Sequence, residues 1–263
     1  MILPVLPLLT ALSVAPAQTP CDGWTTREFW RTADTATVGA CLARGHGVGD
    51  RSSFNDGTPL HLAAGFSDDP DVIGLLVDAG ASLEDAPPPA LRTPLHWAAR
   101  YNENVEVLRA LLEYDPNIYA VNDRGRTPLH LAALYNDNPA IVEELARITY
   151  VNVTMRDGRT PLHDAARRLR NDARTGPPNP GVAEVLLRKG ADLSAEARGS
   201  TPEGWAEDRR VVDAIREEES RRAAIRERFL RDIATRVAVG SLVLGVLGYF
   251  FARRRQTRSR LSS

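Results

Sequence analysis

Short apolar stretches alternate with polar, turn-forming segments along the middle of the chain. Two kinds of stretch follow each other. The first places a leucine close to two alanines, as in Leu129, Ala132 and Ala133, and the second is a longer run such as "VLRALL" from Val107. Apolar residues spaced by three and four positions share one face of an α-helix. The pattern therefore predicts pairs of short amphipathic helices.

One heptapeptide opens the first helix of four successive pairs. TPLHLAA begins at Thr58 and Thr127, TPLHWAA at Thr93 and TPLHDAA at Thr160, so the starts are 35, 34 and 33 residues apart. Threonine is a good N-cap, and proline fits the first helical position because its missing N–H costs nothing there. Histidine at the third position can reach back to the cap, as glutamate does in a capping box.

A second start signal and a stop complete each unit. The start is an Asn or Asp cap, usually followed by proline, at Asp69-Pro70, Asn104-Val105, Asn138-Pro139 and Asn179-Pro180. Gly80 and Gly190 are left-handed stops after the second helix, and a glycine turn precedes most heptapeptides. One such unit cannot bury its apolar stripe alone, so neighbouring units must stack.

With this period and T-P-L-H-x-A-A, the chain resembles the ankyrin repeat family over residues 22 to about 219. Degenerate units at "ATVGACLARG" and "TPEGWA" fit caps at the two ends. The resemblance implies an all-α solenoid of stacked antiparallel helix pairs with hairpin-like loops. It also implies binding of protein partners by the loop tips and the concave side of the first helices. We place this ankyrin repeat domain at residues 18–219.

The N-terminal segment indicates export. Residues 1–17 are apolar and end in Ala15-Pro16-Ala17, a cleavage pattern typical of secretory signal peptides. Export to an oxidising compartment favours a disulfide between Cys21 and Cys41, the alternative being a buried thiol at Cys41 and an inert one at Cys21. The predominance of arginine, with Lys189 the single lysine, hints at a bacterial source.

The C-terminal segment indicates a membrane anchor. Residues 237–252 are uncharged, which predicts a transmembrane helix whose flanking arginines reach the interface. A charged juxtamembrane helix at 220–236 should precede it as part of one long helix, and a basic cytoplasmic tail at 253–263 should follow. Since arginines lie on both flanks, the signal peptide decides the orientation: a bacterial inner-membrane protein with its repeat domain in the periplasm.

Small residues in that predicted span raise the question of a homodimer. Ser241 and Gly245 form a small-xxx-small pair, which permits close contact between transmembrane helices. Small residues are also common in membrane helices that do not associate, so both interpretations stay open.

The sequence offers no catalytic, metal or cofactor site. Thirty-three basic and 34 acidic residues nearly balance, so bulk charge does not point to nucleic acid. Four of the five histidines lie in the heptapeptides, more than 30 residues apart, and each has a structural task there. We therefore expect a non-catalytic protein.

Candidate binding residues come from the repeat register. Arg92, Arg126 and Arg159 directly precede successive Thr-Pro pairs, and Arg124 and Arg156 lie beside them. Stacking would align them as an arginine column along the tips, which suits an acidic partner surface. The alternative is an ordinary solvated tip.

Three further candidates follow the alanine pairs: Arg100, Tyr101 and Tyr135. Arginine and tyrosine are typical interface anchors, although partial burial in the stack explains the tyrosines equally well. The sequence thus predicts a protein-interaction scaffold. The alternative function is a structural spacer or assembly factor that acts through its transmembrane helix.

Overall fold

A computed structural model describes residues 21–167, 180–206 and 208–233. Every regular element in these ranges is an α-helix, and an isolated bridge joins Ala197 to Ser200, so the all-α prediction is confirmed for the described chain. The helices are α1 Arg27–Thr32, α2 Thr35–Ala43, α3 Pro59–Phe66, α4 Asp71–Asp78, α5 Pro94–Tyr101, α6 Val105–Leu112, α7 Pro128–Tyr135, α8 Pro139–Ile148, α9 Pro161–Arg167, α10 Pro180–Arg188, α11 Pro202–Trp205 and α12 at 209–233.

The helices form two layers. The first-helix layer consists of α1, α3, α5, α7, α9 and α11, each packed on the next, and the second-helix layer consists of α2, α4, α6, α8 and α10. The alanine pairs of the heptapeptides are fully or almost fully buried between units, as are leucines such as Leu60 and Leu129. Because alanine is small, consecutive first helices approach closely. The predicted stacked core is confirmed.

The heptapeptide histidines cap their own helix and join it to the next unit. In the second unit, Thr93 N–H donates to His96 Nδ1 at 3.2 Å, which closes the predicted capping box. The opposite ring nitrogen lies 3.0 Å from the carbonyl of Arg126, in the following unit. A carbonyl can only accept, so Nε2 carries the proton and the ring is neutral.

All four heptapeptide histidines repeat this geometry. The rings of His61, His130 and His163 reach the carbonyls of Arg92, Arg159 and Ser200 at 2.9, 3.2 and 3.3 Å. Burial lowers the pKa of every one of them, to about 4 for His61 and His96. Since both ring nitrogens are already used within the stack, these side chains are structural.

The two ends of the stack are closed differently. At the N-terminal end, Cys21 and Cys41 form a disulfide, as predicted, beside the buried rings of Trp24 and Trp30. At the C-terminal end, α12 buries Val211 and Ile215. The Arg222 guanidinium donates to the carbonyl of Leu187, in the last turn of α10, and to that of Ala191, just after it.

The predicted long helix is confirmed for residues 209–233, and it passes without a break through the boundary set at 219/220. Several other predictions lie outside the described residues: the signal peptide at 1–17, the transmembrane helix at 237–252 with Ser241 and Gly245, and the tail at 253–263. Within the described ranges, no helix combines the length and hydrophobicity that crossing a membrane requires.

Candidate functional site

The repeat register pairs two positions of neighbouring units. The fifth residue of each heptapeptide lies against the residue that precedes the heptapeptide of the unit before it. The Trp97 ring leaves no room for a side chain at Gly57, where an added Cβ would stand 2.6 Å from the ring. Two units later in the chain, Asp164 lies 3.3 Å from the guanidinium of Arg126, and in the last, degenerate unit the Trp205 ring lies 5.8 Å from the guanidinium of Arg159.

Two members of the predicted arginine column are therefore buried. Arg126 and Arg159 are only 5% and 7% exposed, and both guanidiniums contact the fully buried carboxylate of Asp164, Arg159 at 3.5 Å. Arg159 also pairs with Asp157 at 2.9 Å. The prediction that these two side chains line an exposed arginine column along the tips is wrong, because the register turns them into the seam between units, where Asp164 neutralises them.

The neighbouring tip arginines lie outside this seam. Arg124 and Arg156 are exposed in the loops that precede the third and fourth heptapeptides. Arg124 is 62% exposed in its side chain and lies 3.9 Å from Asp123, an arrangement that contributes little to stability in water.

Arg92 has the same register as the buried arginines, and Arg100 follows the alanine pair of the same unit. Neither forms an ion pair with a carboxylate in the described chain. By register, the residue opposite Arg92 is Leu131, which offers no acceptor. Arg92 Nε and two nitrogens of Arg100, Nε and Nη1, are buried without a hydrogen-bond partner among the described residues. Burial lowers the pKa of Arg92, and the neighbouring positive charge of Arg100 lowers it further. Asp123 acts on the pKa of Arg92 in the opposite direction, but it forms no ion pair with it, so these two half-buried charges stand close together without a carboxylate in contact.

Aromatic rings lie beside them. Phe66, Tyr101 and Tyr135 are the last residues of α3, α5 and α7, so stacking brings them into one row. The Arg100 guanidinium lies 3.5 Å from the centre of the Tyr135 ring, and the Tyr101 ring lies 5.4 Å from that of Phe66. Such contacts between cations and rings stabilise by about 0.5–2 kcal/mol.

The N-terminal cap closes this row into a cleft of about 230 Å³. The Arg27 guanidinium lies over the Phe54 ring at 4.5 Å, and Arg31 follows one turn later on α1. We call this feature the arginine–aromatic cleft; its lining is Arg27, Arg31, Phe54, Phe66, Arg100, Tyr101 and Tyr135. Its lining contains three arginines, four aromatic rings and no acidic residue.

Three of the seven residues that line the cleft are candidates from the sequence. Arg100, Tyr101 and Tyr135 were identified by their position after the alanine pairs. Arg27 and Phe54 lie before the first complete heptapeptide, where no repeat register predicts which side chains face the cleft. Asp164 was also missed, although its replacement of the usual apolar residue in TPLHDAA was a readable signal.

A family model described as ankyrin repeats (many copies) matches residues 95–146, and one described as ankyrin repeat matches residues 55–87 and 157–198. No curated protein matches the chain significantly.

The chain contains ankyrin repeats.

Ankyrin repeats are generally non-catalytic interaction modules that bind protein partners. In this ankyrin stack, the arginine–aromatic cleft lies where the first-helix layer meets the N-terminal cap. Its rings and guanidiniums are the side-chain types that dominate binding energy at protein interfaces.

Proposed function

We propose that the protein is a non-catalytic scaffold whose ankyrin stack binds a protein partner at the arginine–aromatic cleft. The observation that supports the proposal most strongly is the meeting of Arg100 with Tyr101 and Tyr135 in a surface cleft. These side chains make many contacts within the stack, so they are held in place before a partner arrives. Binding to such a prearranged surface loses little conformational entropy.

The exposed tip residues Arg124 and Arg156 extend this surface in the proposal. Arg126 and Arg159 are left out because their guanidiniums are already occupied by Asp164. The partner surface is therefore expected to run from the N-terminal cap to the loop before the fourth heptapeptide.

Photo-crosslinking in cells tests the proposed surface. In the full chain, p-benzoylphenylalanine replaces Tyr101 or Tyr135, and in the control it replaces Tyr114, which lies against the second-helix layer near Gly74. We expect a discrete crosslinked species from the first two positions that is missing from the control and is lost when Arg100 is also changed to Glu. Equal adducts from Tyr114, or none from any position, would contradict the proposed surface.

We further propose that the stack is periplasmic and is tethered to a bacterial inner membrane by residues 237–252, with the C-terminus in the cytoplasm. The disulfide between Cys21 and Cys41 supports an oxidising compartment, since such bonds persist there and are rare in a reducing cytosol. α12 would then act as a spacer between the stack and the bilayer, because its first half packs on the stack and its second half extends away with exposed side chains.

Cysteine labelling tests this location. A membrane-impermeant maleimide is added to intact cells whose outer membrane has been permeabilised, with a single new cysteine at Ser53 or at Ser259. Labelling at Ser53 and not at Ser259 is expected. Labelling at Ser259 alone would reverse the topology, and recovery of the intact chain in the soluble fraction would contradict the tether.

A further inference from the structure

We propose that the arginine–aromatic cleft binds a short acidic segment of the partner protein, with carboxylates on the guanidiniums and one aromatic side chain among the rings. This inference rests on the proposed interaction function and specifies the chemistry of the partner. The first argument is the charge of the cleft. Arg27, Arg31 and Arg100 line the cleft, and no Asp or Glu lines it. Arg92 lies beside Arg100.

The same fold shows what such arginines require. Where the stack buries Arg126 and Arg159, it supplies Asp164 as an internal counter-ion at 3.3 and 3.5 Å. Arg92 and Arg100 have no equivalent in the described chain, and three of their nitrogens are buried without an acceptor. Because an uncompensated charge near a protein interior is costly, a carboxylate supplied from outside would gain more here than at an exposed arginine.

The size and walls of the cleft limit the occupant. A volume of about 230 Å³ holds one large side chain, and the rings of Phe54, Phe66 and Tyr101 meet at tilted or edge-to-face angles with centres 5.4 to 6.0 Å apart. A further aromatic ring fits such a cluster well, since offset and edge-to-face pairs are favoured. An extended peptide with acidic residues on both sides of one aromatic residue therefore matches both features.

Fluorescence anisotropy with the full chain in detergent tests the proposal. The probe is a fluorescein-labelled Glu-Glu-Phe-Glu-Glu peptide, and the comparison peptides are Gln-Gln-Phe-Gln-Gln, Glu-Glu-Ala-Glu-Glu and Lys-Lys-Phe-Lys-Lys. Oligothymidylate is a further ligand, because arginines and aromatic rings also suit single-stranded nucleic acid. We expect the first peptide to bind at least ten-fold more tightly than each of the others and than oligothymidylate.

Matched variants locate the binding. Arg100→Gln and Arg27→Gln should each weaken the probe at least ten-fold, whereas Arg188→Gln should change affinity less than two-fold. Arg188 is a fair control because it also carries one exposed positive charge but lies on α10 in the second-helix layer. Arg27 is exposed, so its variant remains informative if Arg100→Gln affects folding. Arg100→Glu should shift preference to the lysine peptide.

Each of the following results would contradict the proposed recognition of an acidic segment. Equal binding of the glutamine peptide would show that carboxylates are not recognised. Tighter binding of oligothymidylate would show that the cleft binds nucleic acid and not a peptide. Equal losses of affinity in Arg188→Gln and Arg100→Gln would indicate general charge attraction. If the acidic probe fails while crosslinking through Tyr101 persists, the scaffold function stands and only the acidic segment is wrong. If both fail, neither proposal stands.

Discussion

Two regions of the first-helix layer carry an arginine directly before a heptapeptide, with opposite results. Around α9, Arg126 and Arg159 are buried and share the carboxylate of Asp164. Around α5, Arg92 and its neighbour Arg100 are half-buried, Arg100 lies against the rings of Tyr101 and Tyr135, and neither guanidinium forms an ion pair with a carboxylate in the described chain. One residue of the heptapeptide makes the difference, since Asp164 stands where other units carry leucine or tryptophan. The repeat thus builds a closed seam and an open cleft from one template.

Removing Asp164 should have the largest effect on this contrast. Asp164→Leu restores the residue that TPLHLAA carries, yet it leaves Arg126 buried without a counter-ion. We expect a loss of about 3–5 kcal/mol in the free energy of unfolding, measured by urea denaturation. Adding Arg126→Met and Arg159→Met should recover much of that loss, because an apolar set can replace a buried ion set.

The matched control is Asp123→Asn, which alters a carboxylate with 37% of its side chain exposed and should cost less than about 0.5 kcal/mol. If Asp164→Leu were equally mild, Asp164 would not be the counter-ion that separates the two regions.

Acid should lower the free energy of unfolding in both regions, because both contain buried heptapeptide histidines. An imidazole in the unfolded chain titrates near 6.5, whereas burial lowers the pKa of His61 and His96 to about 4. Between these pH values the unfolded state binds protons that the folded state does not. The contribution of the two histidines to the free energy of unfolding is therefore complete above about pH 6.5 and is lost as pH falls toward 4.

At pH 5 this amounts to about 2 kcal/mol for each of the two histidines. Urea denaturation at pH 7 and pH 5 measures the difference. His96→Gln should flatten the pH dependence, and an unchanged stability between the two pH values would show that the rings are not held neutral.

The disulfide should stabilise the region around the arginine–aromatic cleft and should have little effect on the seam formed by Arg126, Arg159 and Asp164. Cys21 and Cys41 are 20 residues apart and hold the cap that carries Arg27 and Arg31. Replacing both cysteines with alanine should destabilise the protein by about 3 kcal/mol, since the bridge no longer restricts the unfolded chain. Hydrogen exchange should rise in α1 and α2 with little change in α9; uniform exchange along the stack would contradict this local role.

Much of this fold was readable from the sequence because each unit repeats its own start signals. The Thr-Pro pair and the histidine define a helix start locally, and four copies fix the stacking direction. The site was less readable, since exposure depends on which side chain the next unit places opposite. Arg126 and Arg92 have the same local sequence position, and only Asp164, 38 residues after Arg126, separates a buried ion pair from an open cleft. The cap residues Arg27 and Phe54 lack a register altogether, so only the three-dimensional structure brings them to the tyrosines.

The prediction with the smallest expected effect compares the two regions most directly. Arg100→Gln removes a charge that has no internal counter-ion, so without a ligand it should change the free energy of unfolding by less than about 1 kcal/mol. Arg126→Gln should cost more, about 3 kcal/mol, because it leaves Asp164 with a weaker set of donors in a fully buried position. Urea denaturation of both variants beside the wild type measures the difference. Equal losses would mean that Arg100 is a structural element like Arg126, whereas a small loss in Arg100→Gln leaves its guanidinium available to a partner.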